Sequence, residues 1–133
     1  DDPERYVPRA VEEALRYEPI TPFTARIMRE DVEYGGVTFP EGTIVLVAAV
    51  TANRDGVEGA DAFDVTREPT KPLTFGAGIH YCLGANLAKA ELQEALTFLA
   101  ARVDRFELTA QPRFDTVQGV YGMVELPVRL TPR

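Results

Sequence analysis

Tryptophan is absent from the 133 residues, and cysteine and histidine occur once each. A single cysteine excludes an internal disulfide framework and suits a reducing compartment. One cysteine and one histidine fall short of a structural zinc site, which takes four nitrogen or sulfur ligands. No apolar run approaches a membrane span. Basic residues are in deficit, 14 against 21 acidic, for a formal charge of −7. The chain therefore lacks the basic footprint of a general nucleic-acid binder. Its first stretch, DDPERYVPRA, has no initiator Met, basic n-region or apolar h-region, so it is no signal peptide. It reads as the interior of something longer, and the expected location is the cytoplasm. Internal repeats and low-complexity tracts are missing too.

Apolar residues make up 45% and charged residues 26%, an ordinary globular composition for one domain or part of one. VPRAVEEALRYEP patterns as a short amphipathic helix, with Val7, Val11, Ala14 and Leu15 near one face. Pro8 is expected in its first turn and Pro19 beyond its end. Glu13 and Arg16, at i and i+3, can pair on its surface. EYGGVTF suggests a hairpin around Gly-Gly, and TIVLVAAV a buried strand. Residues 53–72 hold Gly, Pro and Asp throughout and form a long irregular segment, of the kind that is usually functional. ANLAKAELQEALTFLAARV is the strongest helix, starting near Ala85, with Ala88, Leu92, Ala95, Leu96 and Leu99 at helical spacing. Leu92, Ala95, Leu96 and Leu99 read as core. The tail holds short extended pieces. The fold class is α+β: two principal helices, a small mixed or antiparallel β region and a long irregular segment ending in a glycine-rich loop.

That loop, FGAGIHYCLG, gathers the only cysteine, the only histidine and three glycines within Phe75 to Gly84. Taken alone, a lone cysteine reads as a small buried hydrophobe. Here it stands just ahead of a helix, whose free N–H groups and positive end stabilise a thiolate. Gly76, Gly78 and Gly84 let the backbone take turns closed to other residues and approach a large ligand. Acyl transfer fits poorly, because no nucleophile elbow or oxyanion arrangement is visible. A metal needing only one protein ligand fits better, and haem iron is the obvious case.

The loop resembles the cysteine-ligand loop of the haem-thiolate monooxygenases, the cytochrome P450 family, in its soluble bacterial branch. The family pattern Phe-x-x-Gly-x-His/Arg-x-Cys-x-Gly is met by Phe75, Gly78, His80, Cys82 and Gly84. EALR matches the family's Glu-x-x-Arg helix as Glu13 and Arg16. GGVTFPEGTIV, ANRD, FDVTR and ELPVRL follow in the family's order. The resemblance implies that residues 1–133 are one C-terminal haem-binding portion of a mainly helical fold, without its N-terminal helical part. It implies haem b as cofactor and Cys82 as the catalytic thiolate and axial iron ligand. Phe75 would pack beside the sulfur and tune the iron's potential, Gly76, Gly78 and Gly84 would let the backbone approach the haem, and His80, Arg26 and Thr24 would meet the haem propionates. Glu13 and Arg16 would form a structural triad with Arg67, which replaces the arginine of a Pro-x-Arg-Phe stretch that reads ADAF here. Pro22, Phe23 and Thr24 would wall one side of a substrate pocket, and Gly119, Val120 and Tyr121 another. Lys89 reads as a solvated lysine, with an acidic electron donor as the alternative role.

The activity implied is insertion of one oxygen atom from O2 into a small apolar organic substrate, with electrons from a ferredoxin or flavoprotein. The 133-residue piece is expected to be inactive alone. The competing reading is a non-catalytic remnant that binds haem weakly or associates with protein. In either case the helix after Gly84 and the TIVLVAAV strand would expose apolar surface, so self-association is expected.

Overall fold

The computed structural model describes residues 2–117 and 120–133. Helix α1 runs Pro3–Tyr17. Asp2 starts it by accepting a hydrogen bond from the Arg5 N–H at 3.2 Å, and Pro3 occupies the first helical position, where no N–H is needed. Capping at Asp2 begins the helix earlier than the apolar pattern suggests. Pro8 therefore lies inside the helix and not in its first turn. It has no N–H to give the Glu4 carbonyl. Val7, Val11 and Leu15, spaced by four, are buried.

Strand β1, Phe23–Ile27, pairs antiparallel with β4, Ile44–Ala48, from Phe23↔Ala48 to Ile27↔Ile44. Between them lie β2, Val32–Tyr34, and β3, Val37–Phe39. Gly35 and Gly36 join these two at φ 58° and 76°, the double positive φ that a type I′ hairpin requires. Helix α2, Ala49–Ala52, follows, and residues 53–72 contain no helix or strand. Two short 3-10 turns, Leu73–Phe75 and Gly78–His80, lead into α3, Ala85–Arg102. The tail forms β5, Val103–Leu108, β6, Arg113–Val117, β7, Val120–Glu125, and β8, Val128–Pro132. β5 pairs with β8 and β6 with β7. Among the described residues every sheet is two-stranded and antiparallel.

The core is small: Val7, Val11 and Leu15 of α1, with Ala49 of α2 and Ala85 of α3. Two faces that read as core from their pattern are exposed here, as expected of a chain without the N-terminal helical part. Strand β4 is not buried, since Leu46 is 62% exposed and Ile44 and Val47 are exposed as well. The α3 stripe is not core either. Leu92 and Ala95 are exposed, and Leu96 and Leu99 only half-buried. Apolar patterning reports a face meant to be covered, and nothing among the described residues covers these two.

The end of α1 is tied down from a distance. A helix leaves its last carbonyls without internal partners. The Glu18 N–H reaches back to the Ala14 carbonyl at 3.0 Å. The Thr74 hydroxyl donates to the Leu15 carbonyl, Asn53 Nδ2 to that of Arg16 at 3.3 Å, and Arg54 Nη2 to that of Tyr17 at 2.6 Å. Residues 53, 54 and 74 thus anchor the irregular segment and the start of the glycine-rich loop onto one helix terminus.

Candidate functional site

The loop is closed by its own backbone. The Gly76 N–H donates to the Leu73 carbonyl at 2.8 Å, the Tyr81 N–H to Gly78 at 3.0 Å, and the Cys82 N–H to Phe75 at 2.9 Å. The Ala85 N–H then bonds the Cys82 carbonyl at 3.2 Å, and α3 begins. Gly76 at φ 71° and Gly78 at φ 66° occupy the left-handed region, where a side chain is strained. Gly84 does not share that role, because its φ is −84°. A Cβ there would stand 3.9 Å from Cys82 Sγ, an ordinary contact, so the position is next to the sulfur but has room for one more atom.

Cys82 is exposed and opens onto a cleft of about 560 Å³, within the range of small-molecule sites. Phe75, Gly76, His80 and Cys82 reach it from the loop, and Thr24 and Arg26 from β1. Residues 24 and 26, two apart on a strand, face the same way. Arg26 donates only to the neighbouring Ala25 carbonyl, at 2.9 Å, and no carboxylate pairs with it among the described residues. The cleft also takes in Leu92, whose core reading is thereby replaced, and Ile20, which the sequence did not single out. Ile20 further borders a second cleft of about 470 Å³ against Phe114, Gly122 and Met123 of the β6–β7 hairpin.

Other expected site residues lie apart from the sulfur cleft. Gly78 borders a different hollow, with Lys71 and Lys89. The Pro22 carbonyl accepts the Val50 N–H at 3.3 Å. Phe23 and Val120 are exposed. Gly119 lies outside the described residues, and Tyr121 is described only through its pairing with Thr116, not in its side chain. Lys89 is not simply solvated: Nζ is 2.6 Å from Glu12 Oε1, linking α3 to α1.

Glu13 and Arg16 form no surface pair. Arg16 is 1% and Glu13 5% exposed, joined by two hydrogen bonds of 2.7 and 2.8 Å. Arg67 Nε stands 3.5 Å from Glu13 Oε1, while its Nη2 donates to the Gly59 carbonyl at 2.9 Å. The Asp64 N–H adds a bond to Glu13 at 2.9 Å, and Arg16 reaches the Ala60 carbonyl at 3.0 Å. The hydrogen bonds from Arg16 hold the Glu13 carboxyl below the usual carboxylate range, against burial, which pushes it up.

Comparison with known proteins places this arrangement. The family described as Cytochrome P450 matches residues 5–124. The chain belongs to the cytochrome P450 family. It is 44% identical to cytochrome P450 107B1 of Saccharopolyspora erythraea over 131 residues, covering 92% of this chain and 32% of that one. It is 42% identical to the biotin biosynthesis cytochrome P450 of Bacillus subtilis, covering 90% and 31%. The crystal structure of P450BioI in complex with an acyl carrier protein superposes with a TM-score of 0.89 at 39% identity, over 98% of this chain and 34% of that one. The chain thus spans about a third of the length of its cytochrome P450 relatives.

The family implies haem, a flat apolar ring with a central iron and two carboxylates on one edge. The sulfur cleft suits such a group in its chemistry. It presents one thiol, a guanidinium with no carboxylate partner among the described residues, an imidazole, and apolar sides from Leu15, Ile20 and Leu92. Among the described residues no helix is long and apolar enough to cross a membrane.

Proposed function

We propose that this chain supplies the haem-holding third of a monooxygenase, with Cys82 as the axial iron ligand. The observation that carries the reading is the meeting of Cys82, His80 and Arg26 at one open, largely apolar cleft. Cys82 is the only cysteine, so no other thiolate competes for the iron. Arg26, with no carboxylate partner among the described residues, is suited to bind a propionate through its forked N–H groups. His80 and Thr24 offer further polar contacts there. Phe75 and the start of α3 stand beside the sulfur, where they would tune the potential of a bound iron. Glu13, Arg16 and Arg67 hold the irregular segment to α1 and act only through structure.

Bound haem b would supply oxygen activation, so that one atom of O2 enters an apolar organic substrate. Pro22, Phe23, Thr24, Val120 and Tyr121 contribute pocket wall. A ferredoxin or flavoprotein in the cytoplasm supplies electrons. These steps belong to a protein of the relatives' full length. Wide apolar exposure favours a second property, self-association of the chain by itself.

The test compares ferric haem with its dimethyl ester, which lacks both carboxylates. Wild-type chain is expected to bind the free acid roughly tenfold more tightly, the worth of a charge-assisted hydrogen bond. Arg26→Gln is expected to lose that preference. Equal affinities in the wild type would contradict the propionate grip.

A further inference from the structure

Asn53 is polar, only 5% exposed, and far from the cysteine in sequence, yet every polar group on it is used. Its backbone N–H closes α2 on the Ala49 carbonyl at 2.9 Å. Its Oδ1 accepts the Leu73 N–H at 2.7 Å. A backbone N–H can only donate, so this bond fixes the orientation of the amide. Nδ2 then points at the Arg16 carbonyl at 3.3 Å, at that of Leu15 at 3.5 Å, and at Thr74 Oγ1 at 3.0 Å. The Thr74 hydroxyl passes its own proton on to the Leu15 carbonyl. The amide therefore joins two things: the end of α1 and the first turn of the cysteine loop, Leu73–Phe75. Phe75, the last residue of that turn, accepts the Cys82 N–H.

We propose that Asn53, with Thr74, is the positioning residue of the cysteine loop, setting where the Cys82 sulfur stands by bolting Leu73–Phe75 to the end of α1. The inference rests on Cys82 being the iron ligand, but the bolt acts on the loop whether or not haem is bound. Size alone does not suffice at position 53. Aspartate has the same shape and could still accept from Leu73. It has no N–H for the two helix carbonyls, however, and would set a buried carboxylate against them. At position 74 the hydroxyl matters and the methyl does not. Thr74→Ser keeps the relay, and Thr74→Val removes it at equal volume.

Hydrogen exchange of the chain, read peptide by peptide, tests this without haem. Asn53→Asp and Thr74→Val are expected to speed exchange across residues 73–84 by roughly tenfold or more, the effect of one lost buried hydrogen bond. Thr74→Ser is expected to exchange as wild type does, and the β5–β8 pair to be unchanged in all three. In haem-loaded chain, the same two damaging variants are expected to lose the red-shifted Soret band of sulfur ligation in the reduced carbon monoxide form. A loop as protected in Asn53→Asp and Thr74→Val as in wild type overturns the proposal. So does loosening of the whole chain in step, which is a general stability effect. Should Asn53→Asp fail to fold, the Thr74 pair carries the test alone. If wild-type chain itself shows no sulfur-ligated band, the haem reading fails, while exchange across the loop still decides the role of Asn53.

Discussion

At the scale of single residues, the buried Glu13–Arg16 pair has the largest expected effect on stability. Removing one partner of a buried ion pair leaves the other charged and dry, at a cost of about 3–5 kcal/mol. Glu13→Gln is therefore expected to destabilise the chain by a few kcal/mol in denaturant titration at neutral pH, on that same scale. The Glu13 carboxyl is held below its ordinary value by the Arg16 hydrogen bonds. Its contribution is thus complete above the unfolded value of about 4.3 and is lost as pH falls through the lower folded value. The gap between wild type and Glu13→Gln is expected to narrow only in acid; a gap constant from neutral pH down would contradict this. Cys82 and the Glu13–Arg16 spacing were legible because rare or charged residues in fixed local patterns have few uses. The roles of Asn53 and Thr74 were not: Asn53 falls in ANRD, but the partners of the two lie 37, 21 and 59 residues away.

At the scale of elements, α1 carries a proline in its interior and α3 carries an apolar face left largely uncovered among the described residues. Proline in a helix interior costs up to about 3 kcal/mol relative to alanine. Pro8→Ala restores an N–H for the Glu4 carbonyl and is expected to raise the melting temperature. No rise would mean that the first turns of α1 already accommodate the proline without strain. The misplacement of Pro8 from sequence has a simple cause: apolar spacing marks the buried face, whereas the start was set by the polar cap at Asp2. The Gly35-Gly36 hairpin was legible because two positive φ angles in succession leave few residue choices. The pattern of β4 and α3 told which face is apolar and not what covers it, so their exposure was legible only from the resemblance to a longer protein.

At the scale of the whole molecule, the chain exposes far more surface than its mass accounts for. A compact protein of 14.7 kDa exposes about 7,000 Å², and this chain exposes 10137 Å². The excess includes Ile79 and Leu83, almost wholly exposed beside Cys82, and the apolar sides of β4. It agrees with a chain spanning about a third of its relatives' length. Sedimentation of the chain alone is expected to show species heavier than a monomer that grow with concentration; a clean monomer at high concentration would contradict that. The central claim is that Cys82 binds haem iron from this cleft, and one spectrum tests it most directly. Purified chain is loaded with haem, reduced and exposed to carbon monoxide, beside Cys82→Ala treated alike. The account predicts a strongly red-shifted Soret band in the wild type that the variant lacks. Identical unshifted bands in both would contradict it.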